Sequence, residues 1–147
     1  MRRINSQIKG GRVMIREDKV IRKTIAFLKK NGWKINNEGQ KKHNPGIDIR
    51  GHHAQYARSI SIEAKGDGKF RLQAINNGFP QAIGQVVSKM EKRLRGHYYG
   101  IAIPSSWEAQ WKKKIKKMEY AWKLLKIRLY LVHEGGCVEV KNWKQML

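Results

Sequence analysis

Gly46-Ile47-Asp48-Ile49 and Ser59-Ile60-Ser61-Ile62-Glu63-Ala64-Lys65 decide how this chain is read. Both stretches alternate apolar with polar residues, the period-two signature of a strand lying against a core. On the second, Ile60, Ile62 and Ala64 share one face and Ser59, Ser61, Glu63 and Lys65 the other. On the first, Ile47 and Ile49 enter the core and leave Asp48 and Arg50 opposite. If the two strands pair as a hairpin with its tip near Gln55 and Tyr56, Asp48 falls directly across from Glu63. Directly opposed residues share a face, so two carboxylates and the Lys65 ammonium converge on one spot. Such a convergence suits a hard divalent cation.

Working outward, residues 1–16 read as a basic N-terminal arm and residues 17–147 as a single domain. Over 17–31, Val20, Ile21, Thr24, Ile25 and Leu28 recur at helical spacing, and Gly32 stands where a helix stops. Trp33-Lys34-Ile35 is a short strand, and Asn44-Pro45-Gly46 turns the chain into the Asp48 strand. Residues 66–80 read as a long basic loop carrying Lys69 and Arg71. A second helix is predicted from Pro80 or Gln81 to Leu94, with Ala82, Ile83, Val86, Val87 and Met90 as its apolar stripe. Residues 98–103 form an apolar strand ended by Pro104.

Ser105 and Glu108 have capping-box spacing and open a long helix over 106–126. Trp107, Trp111, Ile115, Met118, Trp122 and Leu125 line its apolar side; Lys112, Lys113, Lys116, Lys117 and Lys123 occupy the opposite surface. Strands at 127–133 and 137–140 flank a Gly135-Gly136 turn. The order helix, three strands, helix, strand, helix, strand, strand predicts a mixed α/β domain.

Composition narrows the partners. The chain has 147 residues, with 32 Lys and Arg against 11 Asp and Glu, a formal charge of +21 and a pI near 10.4. A compact domain carries that excess against its own repulsion, which points to a polyanionic partner. Nucleic acid is favoured over membrane, because no segment is long and apolar enough to span or anchor. The start, Met1-Arg2-Arg3-Ile4-Asn5-Ser6, continues without an apolar signal region, and the single Cys137 precludes an intrachain disulfide; both suit the cytoplasm. Other constellations fail. His43, His52 and His53 lack a partner at zinc-ligand spacing. Gly66-Asp67-Gly68-Lys69 lacks the first Gly and the final Ser or Thr of a phosphate loop. The tryptophan stripe reads as core, with base stacking open only to an exposed ring.

The element order, with Asp48 after Pro45-Gly46-Ile47 and Glu63-Ala64-Lys65 on the next strand, resembles the PD-(D/E)XK nuclease superfamily over roughly residues 17–133. The resemblance implies a restriction-endonuclease-like α/β core, αβββαβ around a mixed α+β sheet, here with an added C-terminal helix and strands. It implies divalent-metal-dependent hydrolysis of DNA phosphodiesters, of restriction, repair or junction-resolving type. It assigns Asp48, Glu63 and the Ala64 carbonyl as metal ligands and Lys65 as the catalytic lysine. Glu17 resembles the accessory acid many members carry on the first helix. Gln81 to Gln85, followed by Tyr99-Gly100-Ile101-Ala102-Ile103-Pro104, resembles their glutamine helix and following strand, with Gln85 presenting an amide to water or phosphate. Members often act as homodimers, which is compatible with this chain.

The chemistry agrees with those residue types. A divalent cation polarises the phosphoryl oxygen and lowers the pKa of its bound water. Magnesium needs only one or two carboxylates beside its waters and substrate oxygens, and manganese can stand in for it. Lys65 would orient the attacking water and stabilise developing negative charge. Lys69, Arg71, Lys112, Lys113, Lys116 and Lys117 are the expected phosphate contacts. The competing readings are a non-catalytic basic nucleic-acid-binding protein and an RNA nuclease.

Overall fold

The computed structural model describes residues 8–9, 12–36, 48–90 and 95–147. The Asn44-Pro45-Gly46 turn, Ile47, His43, Leu94, Gly10-Gly11 and the charges at Arg2 and Arg3 lie outside the described residues. The elements are β1 (Ile8–Lys9), β2 (Arg12–Val13), α1 (Glu17–Lys30), β3 (Trp33–Ile35), β4 (Ile49–His53) and β5 (Ser59–Ala64). They continue through α2 (Arg71–Ser88), β6 (His97–Pro104), α3 (Glu108–Lys117), α4 (Glu119–Leu125), β7 (Arg128–Val132) and β8 (Val138–Lys141). β1 and β2 pair as a separate antiparallel ribbon.

The other six strands form one mixed sheet in the order β3-β4-β5-β6-β7-β8. β5, β6 and β7 run parallel; β3, β4 and β8 are antiparallel to their neighbours. Two successive parallel connections moving the same way across a sheet place their helices on one face, because such crossovers are right-handed. Accordingly α2, α3 and α4 pack over Ile101, Ile103, Leu129 and Leu131, with Trp107, Trp111 and Trp122 fully buried among them. α1 takes the other face and buries Val20 and Leu28 against Ile60, Ile62, Ala64, Ala102 and Val132. The strand alternation therefore holds, and the architecture is a mixed α+β fold.

Helix α1 ends as expected, with Gly32 at φ +88 just beyond it. Helix α2 does not follow the sequence-based prediction. It starts at Arg71, inside the expected 66–80 loop, runs through Pro80 and stops at Ser88. Ile75, Phe79, Ala82 and Val86 give the reason: they form one buried stripe on the sheet. Burying a large apolar side chain contributes about 1.5–3 kcal/mol, so together they outweigh the roughly 3 kcal/mol cost of a mid-helix proline. Pro80 is exposed, so the carbonyl it leaves without an N–H can be met by water.

The expected helix over 106–126 is also divided. A 3-10 turn, Ser105–Trp107, leads into α3, and Met118 at φ −119, ψ 34 separates α3 from α4. No Ser105 and Glu108 capping box forms; Glu108 instead pairs with Lys141 at 2.9 Å, which raises the Lys141 pKa. No helix among the described residues is long and apolar enough to cross a membrane.

Candidate metal centre

The register of β4 on β5 sets Ile49 against Ile62. One step further puts Asp48, immediately before β4, across from Glu63, as the alternation predicts. The Asp48 carboxylate closes the end of this ladder, with Oδ2 accepting the Ala64 N–H at 2.9 Å. The N–H and C=O of one strand residue point to the same edge, so the Ala64 carbonyl is directed to the Asp48 side.

Glu63 is only 3 % exposed. Burial first, then the neighbouring Asp48 carboxylate and a hydrogen bond to it, raise its pKa to about 8. Lys65 opposes that rise and Glu17 adds to it, so three charged neighbours act on Glu63 at once. Glu17, placed by sequence as an accessory acid, thus joins the group from a different element.

Gly66 explains how it gets there. A Cβ at this position would lie 2.1 Å from the Glu17 backbone nitrogen and 2.4 Å from the Arg16 carbonyl carbon. Only glycine lets the end of β5 meet the start of α1 so closely. Asp67 fixes the junction: its buried carboxylate accepts the Ile15 N–H at 3.0 Å and the Trp107 Nε1–H at 2.8 Å. Asp67 N–H in turn donates to the Ile15 carbonyl at 2.8 Å. Ile15, within the expected basic arm, is buried.

A cleft of about 320 Å³ opens beside Lys65, bordered by Glu17, Lys69, Asn77, Gln81 and Trp107. Asp48 and Glu63 do not line it; Lys65 belongs to both, lining the cleft and acting on the Glu63 charge. A larger cavity of about 790 Å³ adjoins it through Lys69, Phe70 and Gln73 and reaches Arg71, which donates to the Ser106 carbonyl at 3.3 Å.

Gln85 lines neither space. It stands one helical turn beyond Gln81, about 6 Å further along the axis, and of the two glutamines Gln81 borders the cleft. Lys112, Lys113, Lys116 and Lys117 are exposed on α3, away from both cavities. Trp107, Trp111 and Trp122 are core residues with no free ring face. His52 bonds Asn36 at 2.8 Å, and His53 packs between Trp33 and Tyr56.

Sequence reasoning missed Gly66, Gln73 and Asn77. For the two amides the signal existed: with Gln81 they are spaced i, i+4, i+8, hidden by reading 66–80 as loop.

The donor set fits magnesium. Two carboxylates and a backbone carbonyl are all hard oxygens, and two acids this close, one of them buried, lose their mutual repulsion when a cation lies between them. Among the described residues no three His, Cys, Asp or Glu side chains are grouped as a ready-made cage; magnesium does not require one.

No family model matches the chain, and no curated protein is recognisably similar. Its fold is similar to the crystal structure of an XisH family protein from Nostoc punctiforme, with a TM-score of 0.58 and 21% identity over 85% of this chain and 98% of that one. It is also similar to a fdxN element excision controlling factor protein from Anabaena variabilis, with a TM-score of 0.51 and 16% identity over the same shares. At these identities the likeness is one of fold.

Proposed function

We propose that the chain is a magnesium-dependent endonuclease of the PD-(D/E)XK kind, hydrolysing DNA phosphodiester bonds on a restriction-endonuclease-like core. The observation that carries this reading is the placement of Asp48 opposite a buried Glu63, with Lys65 on the same face two residues on. An exposed Glu-x-Lys strand face needs no function; a carboxyl buried beside a second one resists ionisation, a cost that a bound cation would offset, and such perturbed groups gather at functional sites.

In this reading Asp48, Glu63 and the Ala64 carbonyl hold the ion, and manganese can replace magnesium. The chemistry the ion supplies is Lewis-acid polarisation of a phosphoryl oxygen. Lys65 places a fixed positive charge where the scissile phosphate enters the cleft, orients the attacking water and stabilises charge developing on the phosphoryl oxygens. Glu17, near enough to act on Glu63 and bordering the cleft, adds acceptor oxygens that orient water or ligand. Lys69 in the cleft and Arg71 in the adjoining cavity draw the backbone toward carboxylates that would otherwise repel it.

The test is plasmid cleavage with magnesium, repeated with Asp48→Ala and Lys65→Ala. Cutting by the wild type, abolished in both variants while DNA binding persists, is the expected result. Equal cutting by both variants overturns the site assignment. A wild type that binds DNA but never cuts favours the second reading, a non-catalytic binding protein, for which the +21 charge alone would suffice. Parallel assays on RNA of matched sequence decide the substrate.

A further inference from the structure

Residues 72–88 contain no charged side chain, a run of seventeen in a chain that is 29% charged. The whole run lies in α2, whose outer surface is exposed. On that surface Gln73, Asn77 and Gln81 fall one helical turn apart and line the cleft beside Lys65. All three are exposed, and none makes a side-chain hydrogen bond to any described residue. A solvated helix face in so basic a protein would be expected to carry lysine, as α3 does. Three uncommitted amides in a neutral strip call for a ligand group that is itself neutral and hydrogen-bonding.

We propose that Gln73, Asn77 and Gln81 read the base edge of the nucleotide next to the bond that is cut. For the identity of the ligand as a nucleic-acid strand, the inference rests on the endonuclease reading above. Within a strand, phosphates are served by Lys65 and Lys69, whereas bases present paired donors and acceptors that a carboxamide matches in two-point contact, most naturally on adenine. A volume of about 320 Å³ lies within the usual range for small-ligand sites, about 300–1,000 Å³, so a nucleobase fits. The protein would therefore cut with a base preference at one or two positions beside the break.

Two arms keep the failures apart. In the first, a randomised DNA library is cut with magnesium and the ends are sequenced. In the second, the same library is selected by binding without metal and the bound fraction is sequenced. The wild type is expected to show a preference of about 5- to 150-fold at one or two adjacent positions. Asn77→Ala with Gln81→Ala should flatten it, with the salt dependence of binding unchanged, because amides neutralise no phosphate. Both positions are exposed and alanine favours helix, so the variant folds; Asn76→Ala, off the cleft on the same helix, should keep the preference. Absence of cutting by the wild type strikes the endonuclease reading alone, and the binding arm then decides this proposal. It is overturned if the wild type shows no base preference in either arm, or if the preference survives in the double variant. Binding weakened to the same extent on every sequence, with the base preference intact, would also overturn it, marking the amides as phosphate contacts.

Discussion

Glu63 holds a proton over a pH range where the unfolded chain would release it. Its ordinary value is 4.5 and its folded value about 8, so between those limits the native state binds more protons. Stability then falls as pH rises from about 4.5 to 8, and above 8 this contribution is gone. The scale is about 1.4 kcal/mol per unit of displacement. His97, whose pKa burial lowers, acts in the opposite direction near and below its usual range, so the informative quantity is a difference. Glu63→Gln should unfold at a higher temperature than the wild type at pH 8.5, in metal-free buffer, and at nearly the same temperature at pH 5. Thermal melts at the two values check this; a constant gap would mean that Glu63 is not titrating as described. Gly66→Ala is a second residue-scale prediction. Its Cβ has no space against α1, so overpacking should cost about 1–3 kcal/mol, read in denaturant unfolding, and should shift Glu17 away from Glu63. Asp48, Glu63 and Lys65 were legible in the sequence because antiparallel pairing is arithmetic: Ile49 on Ile62 leaves no other place for Asp48. Gly66 was not, since its neighbour arrives from another element and leaves no periodic trace.

At the scale of elements, punctuation was the source of error and burial the remedy. Pro80 and Gly78 in 72–88 look like helix breakers, yet Ile75, Phe79, Ala82 and Val86 keep helical spacing straight through them. The same competition divided the expected 106–126 helix: the stripe through Trp111, Ile115 and Trp122 stays buried while the backbone breaks at Met118. Strands fared better, because their period of two survives short lengths and a sheet tolerates few registers. The tolerance of Pro80 has a measurable consequence. Pro80→Ala restores an N–H to the helix at an exposed position and should stabilise the protein by about 1–3 kcal/mol. For a domain of this size that corresponds to a rise in Tm of roughly 2–4 °C per kcal/mol. An unchanged Tm would mean that α2 is bent around the proline and cannot use the restored donor.

For the molecule as a whole, charge and site divide the work between two surfaces. The acids are few, and Asp48, Glu63 and Glu17 are drawn to one end of β5, while α3 presents Lys112, Lys113, Lys116 and Lys117 to solvent on the sheet face that also carries the cleft helix α2. If those lysines lie along a DNA backbone, each one neutralises a phosphate and releases counterions. Replacing all four with glutamine preserves side-chain length and helix propensity while removing four charges, so the fold should persist. On duplex DNA the slope of log K against log salt should shallow by about 0.9 for each phosphate no longer neutralised, and by roughly 2 or more if at least half of the lysines touch phosphate. The same variant should keep the maximal cleavage rate at saturating protein, because none of the four borders the cleft. Fluorescence anisotropy across a salt series, alongside single-turnover cleavage, separates the two effects. An unchanged slope would assign α3 to a merely solvated face and shift the search for phosphate-binding groups to Lys69 in the cleft and Arg71 in the adjoining cavity. A reduced cleavage rate with an unchanged slope would instead mean that α3 acts on the catalytic end through its packing on α2.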